Sequence, residues 1–512
     1  MTKTGLVRFE LLMDAGDGAQ KAGDILIKAL ARGGRYVFSE PIIPAEISPP
    51  RRTKFSMSGV IIRVADFDII SIGNDSDVII AGHEILLSRR LEDQEYHIPC
   101  KVLLDMGDAE KNRDSYDQAI NEATQKGLEV IPFHIDDQTR ELMRSVKREA
   151  GRGTGNNMYY LGIMTYLFDV NLDIVMSVIE KTFRNLSPER MQQNIQIFKN
   201  GYELAKTQFS FMIEVDANAK HGDDKILIDG NTAMALGVID AGIIFFAGYP
   251  ITPASSIMHT LAKYLPAFGG KIHQPEDEIA AIGAAIGGYY GGVPSITCTS
   301  GPGLSLKQEF IGLATATETP LIVIDVQRGG PATGLPTRTE QSDLLASLFG
   351  THGDSVRVVL SVTDLTDCFY APHVARYLTE KLRIPVMILS DGFESNSMSV
   401  IPKLICKPMK NVEDISDEVL AKFHIRRLTE PIEMVNENQS IPGVPQHMRR
   451  IVGLVTNKEG LISTAAPTQK RAHRIRNEKV HAFQRVLDTP SIFGSPEGEI
   501  LIVGWGTRES CL

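Results

Sequence analysis

The 512-residue sequence predicts a multi-domain α/β protein whose central part is a doubly wound parallel sheet. Short apolar runs recur in the second half of the chain, and helical patterns separate most of them. Strands that alternate with helices of about ten residues or more indicate a parallel sheet. The predicted strands of this part cover residues 226–228, 243–247, 295–299, 321–326, 356–360 and 386–389.

The N-terminal region predicts a separate α/β domain. It opens with a strand pattern, VRFELLM, followed by the glycine turn AGDGAQKAG and the helical ILIKALARGG, which is the order of a βαβ unit. The apolar runs FDIISIG, near Phe67, and DVIIAG, near Asp77, predict two further strands. The segment 156–168 is apolar on nearly all sides and predicts a buried helix.

The C-terminal region is polar and weakly periodic until residue 490, and then reads EILIVGWGTRESCL. A strand followed by a GWGT turn normally leads into a helix, so we expect a further α/β domain to begin there and the chain to be truncated rather than to end on an orphan strand. The polar stretch 216–225 is interpreted as a linker. The predicted divisions are a first domain at 1–214, a second at 215–400, a linker region at 401–490 and the start of a C-terminal domain at 491–512.

Composition excludes several classes of protein. The net charge of −10 and the isoelectric point near 5.7 provide no electrostatic footprint for nucleic acid. The N-terminal sequence lacks a signal-peptide core, and no run approaches the roughly 20 apolar residues of a membrane span, so we expect a cytoplasmic protein. The five cysteines are scattered without a CxxC pair, so we expect neither an iron-sulfur cluster nor another metal site in this chain.

Four low-bulk loops lie between Tyr249 and Asp343: YPITPASS, QPEDEIAAIGAAIGG, TSGPG and QRGGPATGLPTRTEQSD. Each lies where an apolar strand pattern gives way to a helix. The loops at the carboxyl ends of parallel strands form the ligand crevice of such sheets. The sequence therefore predicts an active site here, or half of one.

Glu278 is the leading catalytic candidate. The simpler interpretation is that the acidic residues at the start of its helix only complement the helix dipole. However, Glu278 followed by Gly287 in an Ala-rich helix resembles the pyrimidine-binding domain of thiamine-diphosphate enzymes. In those enzymes a buried glutamate shares a proton with the aminopyrimidine ring.

Enzymes of that kind also need a magnesium and pyrophosphate site, which in the family pattern is generally a GDG turn followed some 25 to 30 residues later by Asn. The GDG at 16–18 lies in the other predicted domain and has no such Asn after it. We therefore interpret it as a glycine turn and expect the pyrophosphate half of the site to lie on another chain.

The four loops, together with GNTAMALG at Gly230 and LSDGF at Leu389, closely resemble the alpha subunit of 2-oxoacid:ferredoxin oxidoreductases, especially the 2-oxoglutarate type. The N-terminal region resembles the family's gamma-type domain, fused ahead of the thiamine-diphosphate-binding, pyrimidine-type domain. The resemblance implies conversion of 2-oxoglutarate and CoA to succinyl-CoA and CO2 with reduction of ferredoxin, or the reverse carboxylation of a reductive TCA cycle. It also implies a beta subunit that carries Mg and an iron-sulfur cluster, in an α2β2 heterotetramer.

The resemblance also assigns roles to residues. Thr252 and Arg328 match the family residues that face the substrate carboxylate and keto group, and Thr337 and Arg338 are candidates for further substrate contacts. The predicted cofactor contacts are Tyr249, Pro250, Ile251, Glu278, Ser300 and Gly301.

Three alternatives stay open. The substrate could be pyruvate or another 2-oxoacid, since all share the carboxylate and keto group. The chain could belong to a thiamine enzyme that does not use ferredoxin. It could also be a non-catalytic scaffold that keeps only the fold.

Overall fold

The computed structural model describes residues 5–44, 46, 49–150, 155–213, 215, 220–437, 441–442, 451–492, 494–495 and 497–507. The chain divides into two compact units. The N-terminal unit comprises residues 1–227 and 397–403, and the second unit comprises residues 228–396 and 404–512. The domain bounds expected from the sequence stay a prediction, and the proposed linker 216–225 lies partly outside the described residues.

The N-terminal unit is built on a mixed eight-stranded sheet. Its strands are β1 (Leu6–Asp14), β2 (Tyr36–Ile42), β3 (Met57–Ala65), β4 (Ser76–Ala81), β5 (Tyr96–Asp105), β6 (Glu129–Phe133), β7 (Lys225–Asp229) and β14 (Met398–Pro402), in the order β6-β5-β4-β1-β3-β2-β14-β7. β1 is parallel to β4 but antiparallel to β3. The strand, turn and helix predicted at the N-terminus are present, with β3 inserted between β1 and β2.

Helices cover both faces of this sheet because successive strand residues point to opposite sides. Leu11 of β1 belongs to the apolar cluster that includes the helices at 19–32 and 156–167. Leu12 belongs to the cluster on the other side of the sheet. The helices are α1 (Ala19–Arg32), α2 (Glu84–Asp93), α3 (Arg113–Gln125), α4 (Asp137–Ala150), α5 (Asn156–Leu167), α6 (Leu172–Thr182) and α7 (Pro188–Gln208). The predicted buried helix at 156–168 is confirmed as α5, whose residues are almost all buried.

Within the first 230 residues, one strand prediction was wrong and one predicted strand joins a different sheet. The segment FDIISIG forms no strand, and its apolar residues do not share one buried face: Ile69 is buried and Ile72 packs against the cluster of Leu12, whereas Phe67 is 50% exposed and Ile70 is 70% exposed. The strand predicted at 226–228 exists as β7, but it lies at the edge of the eight-stranded sheet beside β14 and does not join the parallel sheet.

The second unit contains the predicted parallel sheet. Its strands are β8 (Phe245–Ala247), β9 (Lys271–His273), β10 (Ser295–Thr299), β11 (Leu321–Gln327), β12 (Val358–Ser361) and β13 (Pro385–Asp391). They follow the order β12-β13-β11-β10-β8-β9, and every neighbouring pair is parallel. The predicted α/β class is therefore confirmed, although the sequence patterns missed the three-residue strand β9.

Helices connect these strands and extend beyond them. They are α8 (Gly230–Asp240), α9 (Ser255–Tyr264), α10 (Glu278–Tyr290), α11 (Gly301–Thr317), α12 (Leu344–Phe349), α13 (Leu365–Leu382), α14 (Gly392–Asn396), α15 (Asp417–Lys422) and α16 (Ala466–Arg485). α10 and α11 pack against β11 and β13 through one apolar cluster. None of the helices in the described ranges has both the length and the apolar composition that crossing a membrane requires.

The region after residue 400 differs from its sequence pattern. The stretch interpreted as a linker contains the 20-residue helix α16, and residues 499–505, which read as a strand, form neither a helix nor a strand. α16 is held by a buried ion pair in which Lys479 Nζ donates to Glu318 Oε1 at 2.7 Å. The Glu318 carboxylate also accepts from the backbone N–H groups of Val435 and Asn436. These bonds fix α16 and residues 435–436 to the end of α11.

We expect Lys479→Met to destabilise the second unit by about 3 to 5 kcal/mol, because it leaves the Glu318 carboxylate buried without its cation. Arg474→Met, which breaks the exposed ion pair with Glu433, is the matched control and should cost less than about 1 kcal/mol. Scanning calorimetry of the three proteins compares the two costs. Equal losses of stability would contradict the structural role of the buried pair.

Helices α8 and α13 pack so closely that their backbones are in contact where they cross. A Cβ atom on Gly237 would lie 2.0 Å from the carbonyl oxygen of Phe369, so only glycine fits at this crossing. A Cβ atom on Gly312 of α11 would have no other atom within 4 Å. The two glycines therefore form a matched pair for a test of packing.

We expect Gly237→Ala to destabilise the protein by about 1 to 3 kcal/mol through overpacking. Gly312→Ala should instead stabilise it by about 0.5 to 1 kcal/mol, because alanine loses less conformational entropy in a helix. Thermal unfolding midpoints measured by circular dichroism test both signs. A stabilising Gly237→Ala would show that the helices can separate freely.

Candidate active site

The four loops singled out in the sequence follow four strands that are neighbours in the parallel sheet. In the order β9-β8-β10-β11, these strands lead into residues 274–277, 248–254, 300–303 and 328–343. Because all four strands point the same way, the loops at their carboxyl ends meet at one edge of the sheet. The structure thus assembles the predicted loops into one candidate site.

The loop at 328–343, here called the glycine-rich loop, folds back on itself. Gly329 N–H donates to the Arg338 carbonyl at 2.9 Å, and Leu335 N–H donates to the Gly329 carbonyl at 2.9 Å. Gly334 has φ of 50°, and a Cβ atom there would lie 2.2 Å from the Gly329 oxygen. These bonds give the loop a defined shape beside the end of β11.

Arg328 and Thr252, which the sequence places 76 residues apart, contact each other. Arg328 Nη1 donates to the Thr252 carbonyl at 2.8 Å. Arg328 is only 7% exposed, and its Nε atom has no partner among the described residues. The Thr252 residue itself is exposed. The guanidinium is therefore oriented by one bond and keeps donors for a ligand.

The loop that carries Thr252 is held from below by Asn231. The Asn231 side-chain amide donates to the Pro253 carbonyl at 2.9 Å and to Ser256 Oγ at 2.6 Å. Asn231 lies in the first turn of α8 and is buried. The motif that contains it, GNTAMALG, indicated no role for the asparagine. The structure shows that it fixes the conformation of the YPITP segment.

Glu278 is the first residue of α10, and Asp277 caps that helix by accepting from Ala280 N–H at 2.7 Å. The Glu278 residue is buried, at 9% exposure. Its side chain packs on the start of α11, since a Cβ atom on Gly303 would lie 2.8 Å from Glu278 Cγ and 2.1 Å from Thr299 Oγ1. Gly303, the second glycine of TSGPG, therefore leaves space for the Glu278 side chain.

Lys307, which no sequence pattern indicated, lies beside Glu278. Its Nζ atom donates to the Glu278 carbonyl oxygen at 2.8 Å, and the side chain is fully buried. Burial lowers the pKa of Lys307 to about 8, while the nearby Glu278 and Asp277 carboxylates oppose that shift. A lysine in a helix is usually exposed, so its type and spacing did not predict a place in the site.

The other predicted cofactor contacts line the same edge of the sheet. Tyr249 and Pro250 are exposed, and Ile251 is half-buried. Ser300 precedes α11, is fully buried, and has no partner for its Oγ atom within the described part of the chain. Gly301 is the first residue of α11. An apolar loop and an unpartnered hydroxyl therefore lie at the same edge of the sheet as Glu278.

The two further substrate candidates differ in their surroundings. Thr337 is half-buried, and its hydroxyl has no partner among the residues that the structure describes. Arg338 is exposed and shapes the glycine-rich loop through its backbone. Burial lowers the pKa of Arg328, and the neighbouring Asp343 carboxylate opposes this shift. Arg328 is thus the buried cation of the loop.

The segment around Thr507 contacts the base of the glycine-rich loop. No sequence pattern predicted this contact. Gln341 Nε2 donates to Asp391 Oδ2 at 2.8 Å and to Thr507 Oγ1 at 2.9 Å. Thr507 Oγ1 donates to the same Asp391 oxygen at 2.5 Å. The segment that carries Thr507 therefore takes part in supporting the site.

The GDG turn lies in the N-terminal unit, whereas the loops of the parallel sheet lie in the second unit. Gly16 and Gly18 have φ of 89° and 86°, the left-handed values that favour glycine. Asp17 accepts two hydrogen bonds from Arg51, at 2.9 and 2.7 Å. The turn borders a cavity of about 510 Å³. Several arginines and several aspartates line this cavity. The carboxylate of the turn is therefore engaged by an arginine.

Family models match both parts of the chain. The model described as "Pyruvate flavodoxin/ferredoxin oxidoreductase, thiamine diP-bdg" matches residues 236–451, and the one described as "Pyruvate ferredoxin/flavodoxin oxidoreductase" matches residues 14–204. The first match contains all four loops of the candidate site.

Individual relatives agree with these models. The chain is 33% identical to the 2-oxoglutarate oxidoreductase subunit KorA of Mycobacterium tuberculosis, over 96% of this chain and 77% of the relative. It is 50% identical to the 2-oxoglutarate synthase subunit KorA of Methanothermobacter marburgensis, over 33% of this chain and 45% of that protein.

A solved structure is similar over nearly the whole chain. It is the 2-oxoglutarate:ferredoxin oxidoreductase from Magnetococcus marinus with 2-oxoglutarate, coenzyme A and succinyl-CoA bound. The TM-score is 0.75 at 29% identity, covering 96% of this chain and 82% of that one. The chain belongs to the family of 2-oxoacid:ferredoxin oxidoreductase subunits that includes the KorA proteins.

Proposed function

We propose that this chain is the alpha subunit of a 2-oxoglutarate:ferredoxin oxidoreductase. The reaction converts 2-oxoglutarate and CoA to succinyl-CoA and CO2 and passes two electrons to ferredoxin, or runs in reverse as a carboxylation. The KorA relatives are named for 2-oxoglutarate, and the similar solved enzyme holds 2-oxoglutarate and succinyl-CoA, which supports this substrate. The catalytic unit requires a second chain.

The contact between Arg328 and Thr252 carries the proposal. A guanidinium held at one nitrogen, in a glycine-rich loop, can give a carboxylate a planar two-point hydrogen bond that lysine cannot give. Thr252 lies at the same place with an exposed side chain that can reach the neighbouring keto group. The pair therefore suits the carboxylate and keto group common to all 2-oxoacids.

The residues around Glu278 fit the aminopyrimidine end of thiamine diphosphate. A buried carboxyl, the unpartnered Ser300 hydroxyl and the apolar Tyr249–Ile251 segment offer hydrogen bonding and apolar contact to a flat ring. Thiamine diphosphate, when bound there, would supply a nucleophilic carbon for chemistry at a keto carbon. Glu278 would hold a proton against the ring nitrogen, and Lys307 would fix the backbone of Glu278.

The remaining components are proposed to lie on a beta subunit, in an α2β2 assembly. They are the pyrophosphate site with its Mg ion and an iron-sulfur cluster that passes electrons to ferredoxin. No group of three or more potential metal ligands occurs in the described ranges of this chain, and the four cysteines seen there are free thiols.

The substrate assignment needs a contact for the second carboxylate of 2-oxoglutarate. Arg338, exposed on the glycine-rich loop, is the proposed contact, with Thr337 beside it. Pyruvate has no second carboxylate and therefore no group for Arg338 to bind.

The test is to purify the chain together with its partner subunit and to measure reduction of a viologen dye that depends on both 2-oxoacid and CoA. The proposal expects activity with 2-oxoglutarate and bound thiamine diphosphate. Activity with pyruvate alone would overturn only the substrate. A thiamine-containing complex without iron-sulfur absorbance would favour a ferredoxin-independent enzyme, and a complex that binds no thiamine diphosphate would favour a scaffold.

Replacing Glu278 by Gln should lower kcat by about 10²- to 10⁴-fold, the usual contribution of a general acid-base group. The amide keeps the size of the side chain but cannot exchange the proton. Glu276→Gln, in the same segment but exposed, is the matched control and should keep kcat. Steady-state rates of the assembled enzyme decide, and equal rates for the two variants would remove Glu278 from catalysis.

Arg328→Lys should lower kcat/KM for the 2-oxoacid by roughly 10- to 100-fold, mainly through KM, because a charged two-point hydrogen bond is lost. KM for CoA should not move. Arg426→Lys, at an exposed ion pair, provides the control. An unchanged KM for 2-oxoacid in Arg328→Lys would mean that another group binds the carboxylate.

A further inference from the structure

A lysine occupies a core position of α11. Four residues of this helix are buried at helical spacing on one face: Leu304, Lys307, Ile311 and Ala314. The other three belong to the apolar cluster between α10 and α11, whereas Lys307 brings an ammonium group to the same face. Burial of a charged group costs free energy, so this position would be filled more cheaply by an apolar side chain.

The ammonium group of Lys307 is bonded to a backbone carbonyl and not to a carboxylate. Its Nζ atom donates to the Glu278 carbonyl oxygen at 2.8 Å. The buried Lys479 differs in this respect, because its Nζ atom donates to the Glu318 carboxylate at 2.7 Å. A carbonyl carries no full negative charge, so the charge of Lys307 is compensated less well than that of Lys479.

The Glu278 carbonyl does not need this bond to complete its helix. Glu278 is the first residue of α10. In the first turn of a helix the N–H groups lack intrahelical partners, whereas the carbonyls accept from the residues four positions later. The bond from Lys307 therefore adds nothing that α10 requires as a helix. It fixes instead where the first turn of α10 lies against α11.

α11 contacts Glu278 at two points that are one helical turn apart. Gly303 and Lys307 are four residues apart and so lie on the same face of α11. A Cβ atom on Gly303 would lie 2.8 Å from Glu278 Cγ and 3.0 Å from Glu278 Oε1, so this glycine borders the carboxyl end of the side chain. Lys307 binds the backbone of the same glutamate. α11 thus determines both the backbone position and the side-chain path of Glu278.

We propose that Lys307 is a positioning residue for Glu278, which the fold keeps in its core at a cost in stability and which holds the first turn of α10 so that the Glu278 carboxyl meets the aminopyrimidine ring. The inference rests on the proposed function for its effect on catalysis, but the anchoring of α10 and the cost in stability do not. Lys307 itself needs no contact with cofactor or substrate.

The first measurement is thermal unfolding of the chain at neutral pH. Lys307→Met removes the ammonium group and keeps an apolar chain, so we expect an unfolding midpoint equal to or above that of the wild type. Lys479→Met, which leaves Glu318 without its cation, is the contrast and should lower the midpoint by roughly 5 °C or more. A fall for Lys307→Met as large as that for Lys479→Met would overturn the cost in stability and make Lys307 a structural residue.

The effect of Lys307→Met on stability should depend on pH. Burial lowers the pKa of Lys307 from 10.5 to about 8, and its neighbours Cys298 on β10 and Glu278 and Asp277 at the start of α10 oppose the shift. The unfolded chain therefore binds more protons than the folded chain between these two values, and the wild type gains stability as pH rises through this window. The advantage of Lys307→Met should be largest below about pH 8 and should shrink towards pH 10.5. An advantage that stays constant with pH would show that the buried charge is not its source.

Hydrogen exchange of the chain alone tests the anchor without any activity. In Lys307→Met the backbone amides of residues 280–284 should exchange about tenfold faster, the effect of losing a hydrogen bond from a charged donor. The amides of α13 provide the internal control and should exchange as in the wild type. Unchanged exchange at 280–284 would overturn the anchoring role, whether or not the complex is active.

The last measurement uses the complex with its partner subunit. Lys307→Met should lower kcat by about tenfold or more and leave KM for the 2-oxoacid nearly unchanged, because a displaced Glu278 slows proton transfer and not substrate binding. Lys307→Gln keeps an amide donor, one bond shorter, and should recover part of the loss. Lys263→Met, at an exposed position of α9, is the control and should keep kcat.

An unchanged kcat in Lys307→Met, or a kcat for Lys307→Gln no higher than that for Lys307→Met, would overturn the positioning role. A wild-type complex without activity would instead refute the proposed function, and the exchange measurement would then decide the anchoring role by itself.

Discussion

The parallel order of the six-stranded sheet is the constraint on which the site depends. Because β9, β8, β10 and β11 are neighbours and point the same way, four loops far apart in sequence end at one edge. The contact between Arg328 and Thr252 follows directly from the position of their strands, two places apart in the sheet. Packing of α8 against α13, at Gly237, and the side chain of Asn231 then fix the loop that carries Thr252.

Buried ionisable groups concentrate around this edge. Glu278, Lys307, Asp325 and Arg328 are all less than one tenth exposed. Burial of such groups costs free energy unless each is paired or hydrogen-bonded, and clusters with perturbed pKa values are common at functional sites. Here Lys307 is bonded to the backbone of Glu278 and Arg328 to the backbone of Thr252, whereas neither oxygen of Asp325 has a partner among the described residues. The network orients charged groups before a ligand arrives.

The loops and five of the six strands of the parallel sheet could be predicted from the sequence because their apolar runs and glycine-rich turns are local signals. Features set by tertiary contacts could not. β7 has a normal strand pattern, but it pairs with β14, which lies about 170 residues later in the other sheet. FDIISIG is apolar, yet Phe67 and Ile70 are exposed. The burial of Lys307 and the contact of Thr507 with Gln341 arise only when distant segments pack together.

We propose above all that this chain supplies one half of a thiamine-diphosphate site. Calorimetric titration of thiamine diphosphate with Mg into the chain alone, the partner subunit alone and their complex tests this most directly. We predict tight binding only in the complex, weakened when Tyr249 and Ile251 are replaced by polar residues. Equally tight binding to the chain alone, or binding to the partner that the chain does not improve, would contradict it.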